Sequence, residues 1–192
     1  MTGELYVVRH AEAAGTEQSD PSLSESGRTQ AQALGRRLAQ GPVAHVLHGP
    51  RRRAADTAPL LAAELPGVPC ALSPLLDDRT PVPSAGRRSE YPQERHAWFD
   101  AIPWEEQDRD GQLLSAAFHQ LGQRAHEMAD RGVLVVVTHA FVVGWFVREA
   151  LLGPAAQWLR LVPANTGLTV VRWREDGSPV LVSFNDTGHL TS

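Results

Sequence analysis

Apolar residues fall along this chain in short blocks, separated by stretches with helical spacing. The first block, "ELYVVR" (4–9), is rich in Val, Leu and Tyr, ends on a charge, and predicts a buried strand. From Asp20, "DPSLSESGRTQAQALGRRLAQG" reads as a helix entry, with Ser24 or Ser26 as the N-cap, helix formers through Gln40, and Gly41 as the stop. "VAHVLHG" (43–49) predicts a second strand, closed by Gly49-Pro50. A helix from about Arg51 to Leu65 should follow, kinked or shortened by Pro59. "VPCALS" (68–73) predicts a third strand, and a helix is expected over about 110–131. "GVLVVVTHA" (132–140) carries the strongest buried-strand signal and leads into an apolar helix, "FVVGWFVREALLG". The closing "TGLTVVRWREDGSPVLVSF" predicts a hairpin turning at Asp176-Gly177.

Strands alternating with helices predict an α/β fold. The expected form is a three-layer α/β/α sandwich around a mainly parallel, mixed central sheet with an antiparallel edge. Residues 74–107 break the pattern with Pro74, Pro81, Pro83, Pro92 and Pro103, and show no clean periodicity before "QERHAWFDAI". Long irregular connections in compact domains tend to be functional, so 79–107 is expected to be an inserted lid or specificity segment with one short helix. No internal repeat or low-complexity linker is visible, and 192 residues suit one well-filled core, so a single domain over 1–192 is expected.

Composition narrows the chemistry. The net charge of −4 gives no support to a nonspecific nucleic-acid partner or an anionic membrane surface. No apolar run approaches the about 20 residues needed to span a bilayer, and no basic-then-apolar leader opens the chain; both predict a cytoplasmic protein. All 18 basic residues are arginine. Without lysine there is no Walker-type phosphate lysine and no Schiff base. The single cysteine, Cys70, excludes an internal disulfide and lacks an arginine six residues on, where Leu76 stands, so the cysteine-phosphatase pattern is missing. Cys70 is expected to be a buried small hydrophobe.

Two of the predicted parallel strands end on histidine: Arg9-His10 after the first, Thr138-His139 after the strongest. Ligands of open α/β sheets sit beyond the strand carboxyl ends, so the two imidazoles are expected to face a shared crevice.

The chain resembles the histidine phosphatase superfamily, also called phosphoglycerate mutase-like, along nearly its whole length and in order. "RHAE" (9–12) is similar to the family's Arg-His-Gly-Glu, with Ala11 in place of glycine. "DPSLSESGRTQAQALGRRL" (20–38) resembles the segment that follows. "GPRRRAADTA" (49–58) resembles Ser-Pro-x-x-Arg-Ala-x-x-Thr-Ala and places its arginine at Arg53. "LDDR" (76–79) lies where the family has Leu-x-Glu, and "VVVTHA" (135–140) resembles the second-histidine motif, with Ala140 in place of glycine. "NTGLTVVRW" and "SFNDTGHL" resemble the C-terminal strands, the latter in the manner of the phosphatase branch.

The resemblance implies that His10 attacks phosphorus and forms a phosphohistidine, its other ring nitrogen held by a hydrogen bond that fixes the tautomer. It implies Arg9, Arg53 and His139 around the phosphoryl oxygens, joined by Arg79 and Ala140, with guanidinium and imidazolium meeting the charge without a metal or other cofactor. It implies Asp78 as the acid that protonates the leaving group, with Asp77 as the neighbour to test, and Glu12, Thr138 and Asn165 as supports. The expected activity is hydrolysis of a small soluble phosphate ester. A phosphoglycerate mutase is the first alternative, although mutases of this family are longer, and a non-catalytic phosphate-binding regulator is the second.

Other residues have plainer readings. Arg51 and Arg52 read as a solvated helix face, and His45 and His48 as structural groups on opposite sides of a strand. His119 and His126 share a helix face with no further ligand in sight, and His189 is expected to tie down the tail. Glu12 either accepts a hydrogen bond near the site or caps a turn. Trp98, Phe99 and Trp104 either line the substrate mouth or pack the lid onto the domain, with packing the expected role, and Asn165 and Thr166 either buttress the second histidine or form a turn. The "FVVGWFVREALLG" helix reads as core or as a homodimer surface, and the sequence leaves both open.

Overall fold

The computed structural model describes residues 2–15 and 20–190, so the expected span of 1–192 runs past the described residues at both ends. Among the described residues, eight strands and five α-helices alternate along the chain: β1 (Glu4–Arg9), α1 (Glu25–Leu38), β2 (Val43–His48), α2 (Arg52–Ala62), β3 (Cys70–Leu72), β4 (Thr80–Val82), α3 (His96–Asp100), β5 (Gln107–Arg109), α4 (Gln112–Glu127), β6 (Val133–Thr138), α5 (Ala140–Ala150), β7 (Leu168–Trp173) and β8 (Pro179–Asp186). Six strands form one sheet in the order β3-β2-β6-β1-β7-β8. The β3-β2-β6-β1 half is parallel, and β7 and β8 add an antiparallel edge. This is the expected mixed, mainly parallel sheet flanked by helices.

Alternation along the central strands fills both faces. Leu5, Val7, Leu134 and Val136 pack with Leu114, Phe118, Val143 and Phe146 from α4 and α5. Val8, Val135 and Val137 pack with Leu34, Ala58 and Leu61 from α1 and α2. Burial on both sides is why β1 and β6 read as continuous apolar runs rather than as alternating ones. The apolar stripe of α5 lies inside, with Val142, Val143, Trp145, Phe146 and Val147 all buried, so that helix is core. Among the described residues no helix is long and apolar enough to cross a membrane.

The differences from expectation have local causes. Ser24 is the α1 cap, its side chain accepting from Gly27 N, and α1 ends at Leu38 rather than Gln40. Pro59 sits on the exposed side of α2, which ends at Ala62, three residues earlier than expected. Cys70 is exposed rather than buried, because β3 is the sheet's edge strand and all three of its residues face solvent. Residues 74–107 hold more than one short helix: 3-10 turns at Pro74–Leu76, Ala85–Glu90 and Gln93–Arg95 surround α3, and β4 pairs in parallel with β5. Trp104 does not pack the lid; it is exposed. The hairpin turns as expected, with Gly177 at φ 80° closing on Arg174 O.

Candidate active site

β1 and β6 run side by side in parallel, with Arg9 in register with Thr138, so their carboxyl ends present His10 and His139 together. The two rings stand 5.2 Å apart, both buried. His10 Nδ1 lies 2.8 Å from the carbonyl of Ala11, and a carbonyl only accepts. Nδ1 therefore carries the proton and Nε2 is bare. Arg53, at the buried entry of α2, donates from Nε to that bare Nε2 across 3.0 Å. Burial, with the charges of Arg53 and Arg9 adding to it, pushes the His10 imidazole down to about 3.

His139 stands at the N-cap position of α5, in an extended conformation, and its ring does not cap the helix. The first amides of α5, starting at Ala140, thus meet the cleft as an anion-favouring helix end. Among the described residues neither ring nitrogen of His139 has a hydrogen-bond partner, and Asp78 Oδ2, 3.4 Å from Nδ1, is close without being aligned. Burial, then His10 and the arginines, holds this imidazole well below its ordinary range. That direction favours the neutral imidazole over the imidazolium.

Asp78 reaches Arg53 as well: its Oδ2 accepts from the second guanidinium nitrogen at 2.6 Å. Thr138 positions the acid from behind, donating to Leu76 O at 3.0 Å, two residues before Asp78. Asp77 turns elsewhere and serves as a brace. Its carboxylate accepts from Asp78 N at 2.9 Å and lies 3.6 Å from Arg51 and 3.3 Å from Arg79. Arg79 donates to Glu105 O at 2.8 Å and is absent from the cleft wall, so the structure does not bring it to the other phosphate-site candidates.

The strand end is braced from the C-terminal side. Arg9 donates to Pro163 O at 2.8 Å, Asn165 Nδ2 donates to His10 O at 2.9 Å, and Thr166 N donates to Arg9 O at 2.9 Å. His189 Nε2 meets Thr166 Oγ1 at 3.0 Å, tying the tail to this brace. Glu12 spends its carboxylate on the hydroxyl of the cap residue Ser24, at 2.7 Å, on the exposed side of the loop. Ala11, where the family has glycine, is fully buried against Leu23 and Ala31, so its methyl fills an apolar niche.

Three site residues escape a reading of the sequence. Asp20, at φ 43°, accepts from Arg52 N at 3.0 Å and lies 3.7 Å from Arg53. Thr57, one turn after Arg53 on α2, donates to Arg53 O at 2.6 Å and accepts from Ala11 N at 3.0 Å. Thr57 is the threonine of the Ser-Pro-x-x-Arg-Ala-x-x-Thr-Ala pattern, four residues after Arg53, and that motif position is the signal for it. Gly49 is pressed against the loop carrying Asp78: a Cβ there would stand 2.2 Å from Leu76 O. His45 and His48 point apart as expected, the first toward Arg124 and the second toward Gly49 O.

Above these groups lies a cleft of about 450 Å³ whose lining includes the charged or polar Arg9, Arg51, Arg53, Asp78, Glu106 and His139 and the apolar Trp98, Ile102, Phe141 and Val162. A bare imidazole nitrogen, two arginines, a second imidazole and the Asp78 carboxyl group come together here. Such a set can bind a phosphoryl group and exchange it with a nitrogen nucleophile.

A sequence profile of the histidine phosphatase superfamily (branch 1) matches residues 5–187. Among curated proteins, the chain is 27% identical over 194 residues to the mitochondrial serine/threonine-protein phosphatase PGAM5 of Mus musculus, covering 98% of this chain and 64% of that protein. It is 28% identical over 191 residues to the Pgam5 of Caenorhabditis briggsae, covering 97% of this chain and again 64% of the relative. The chain thus spans under two thirds of these relatives. Among solved structures, a mycobacterial glucosyl-3-phosphoglycerate phosphatase superposes with TM-score 0.73 at 21% identity, covering 96% of this chain and 99% of the other. An Entamoeba histolytica phosphoserine phosphatase in complex with 3-phosphoglyceric acid superposes with TM-score 0.73 at 20% identity, covering 97% and 98%. At those identities the superpositions establish the shared fold, and the profile match over nearly the full length establishes the family. The chain belongs to the histidine phosphatase superfamily, branch 1.

Proposed function

We propose that this protein hydrolyses small phosphate monoesters through a phosphohistidine on His10. The observation that carries this reading is the tautomer: Ala11 O takes the proton-bearing Nδ1, and the Arg53 donor leaves Nε2 as the nucleophile. The phosphoryl group would dock between Arg9, Arg53, His139 and the first amides of α5, where its equatorial oxygens meet positive charge and N–H donors. Arg53 Nε turns from His10 to a phosphoryl oxygen, freeing the Nε2 lone pair.

The N–P bond forms as the ester P–O bond breaks, and the departing oxygen takes a proton from Asp78. With Arg53 now engaged by phosphate, the Asp78 carboxyl faces phosphoryl oxygens, and like charge favours the protonated form it needs as donor. Water then attacks phosphorus, Asp78 takes its proton, and the N–P bond breaks with its electron pair returning to Nε2. Arg9 and Arg53 meet the charge in both steps.

The experiment is a rapid quench with a labelled ester, read for acid-labile, base-stable protein-bound phosphate. Label in the parent and none in His10→Ala, with p-nitrophenyl phosphate turnover lost in the variant, is the expected result. Parent-like turnover by His10→Ala would overturn the phosphohistidine mechanism. Net conversion of 3-phosphoglycerate stimulated by its bisphosphate, in place of phosphate release, would make the protein a mutase. The names of the curated relatives favour a second reading, dephosphorylation of phosphoserine or phosphothreonine in proteins. A phosphoserine peptide turned over faster than every small ester in the same assay would favour it.

A further inference from the structure

Resting on that reading, we infer that the alcohol portion of the substrate is apolar and uncharged, an alkyl or aryl group, and that esters bearing a second anionic group are discriminated against. The cleft is lined by two unlike sets of side chains. The phosphate set is Arg9, Arg53 and His139. The second set is apolar, with Trp98 from α3, Ile102 just after it, Phe141 from α5 and Val162 from the loop before β7.

Single exposed hydrophobes are ordinary, but here side chains from three separate segments line one cleft. Val162 is 73% exposed and Phe141 36%, so apolar area stays open to a ligand. Trp98 and Phe141 meet edge to face with centroids 5.7 Å apart, and Phe141 packs likewise on Trp158 at 5.2 Å. The apolar set is therefore braced, the condition under which an apolar surface binds without first having to be ordered.

Charge at the mouth argues the same way. A substrate carboxylate or second phosphate needs a cation beyond the two that hold the phosphoryl group. Arg51, the remaining arginine on the cleft wall, lies 3.5 Å from Glu106 and 3.6 Å from Asp77. That guanidinium is already shared between two carboxylates and is not held out toward a second substrate anion. Arg79, the next arginine along, is engaged by Asp77 and Glu105 O away from the wall.

The test compares kcat/KM for 2-phenylethyl phosphate, O-phosphoserine and 3-phosphoglycerate, all aliphatic esters, so that leaving-group reactivity does not set the order. The first is expected to exceed both others by about tenfold or more, the scale on which a pocket reads a few apolar atoms. Val162→Arg, at an exposed position where folding is not at stake, is expected to lower the 2-phenylethyl value and raise that for 3-phosphoglycerate, shrinking the ratio by about tenfold. Equal or reversed preference in the parent, or a ratio unmoved by Val162→Arg, would overturn the inference while leaving the phosphatase reading intact. Failure to hydrolyse any ester, p-nitrophenyl phosphate included, would overturn both.

Discussion

Arg53 and His10 share a hydrogen bond of 3.0 Å that marks which imidazole nitrogen is bare. The same guanidinium holds Asp78 at 2.6 Å, so one buried side chain sets nucleophile and acid relative to each other. Both bonds need the planar fork of arginine, which a lysine point charge does not reproduce. Arg53→Lys is therefore expected to lower kcat/KM for p-nitrophenyl phosphate by about 100-fold or more, the usual cost of losing an electrostatic donor. Steady-state kinetics on a variant shown by circular dichroism to be folded checks it.

Asp78 and Asp77 are adjacent in sequence and differ in direction. Asp78→Asn is expected to slow alkyl esters by about 100-fold, and p-nitrophenyl phosphate far less, because a phenolate with a low proton affinity leaves unaided. Asp77→Asn, whose side chain braces Asp78 N and two arginines, is expected to cost under about tenfold with either substrate. A leaving-group series measured on both variants decides the assignment.

The pH dependence of stability follows from His10. Its folded-state value of about 3 lies below the ordinary imidazole range, so between the two the unfolded chain binds a proton that the folded one refuses. Stability must therefore fall as pH drops below about 6.5, at about 1.4 kcal/mol per pH unit for each histidine so held. His139, His45 and His189 are pushed the same way by burial. Urea titrations between about pH 6.5 and 4.5 should show this slope, and His10→Asn should lower it by one proton's worth.

Gly49 carries the fourth prediction. Its place in the Ser-Pro-x-x-Arg motif belongs to serine, yet here Leu76 O occupies the space a Cβ would need. Gly49→Ala and Gly49→Ser are both expected to destabilise by about 1–3 kcal/mol and to displace Asp78 with its loop. Thermal unfolding reports the first effect, and a drop in kcat for alkyl esters reports the second.

What can be read from the sequence and what cannot divide along physical lines. Strands such as "LVVVT" declare themselves because burial on both faces demands an unbroken apolar run, and His10 and His139 are visible as polar residues ending such runs. The tautomer of His10 is not legible, since it depends on a carbonyl one residue on and an arginine forty-three away. Nor is the downward shift of the His139 imidazole, a product of burial that no local pattern encodes. Residues 74–107 look irregular because β4 and β5 are three residues each and pair across a gap of more than twenty. Cys70 departs from expectation because a strand's sequence does not say whether the strand lies at an edge.

The register of Arg9 with Thr138 joins residues far apart along the chain. Nucleophile and second histidine come from segments 129 positions apart, and the brace on Arg9 comes from further on still. A chain that has formed only its first half holds Arg53 with His10 and Asp78 but lacks His139 and the Pro163 brace on Arg9. Recovery of catalysis during refolding should consequently lag behind recovery of helical signal and coincide with burial of Trp145 and Trp158 beneath the finished sheet. Turnover would thus report the joining of the two ends of the chain through the central sheet.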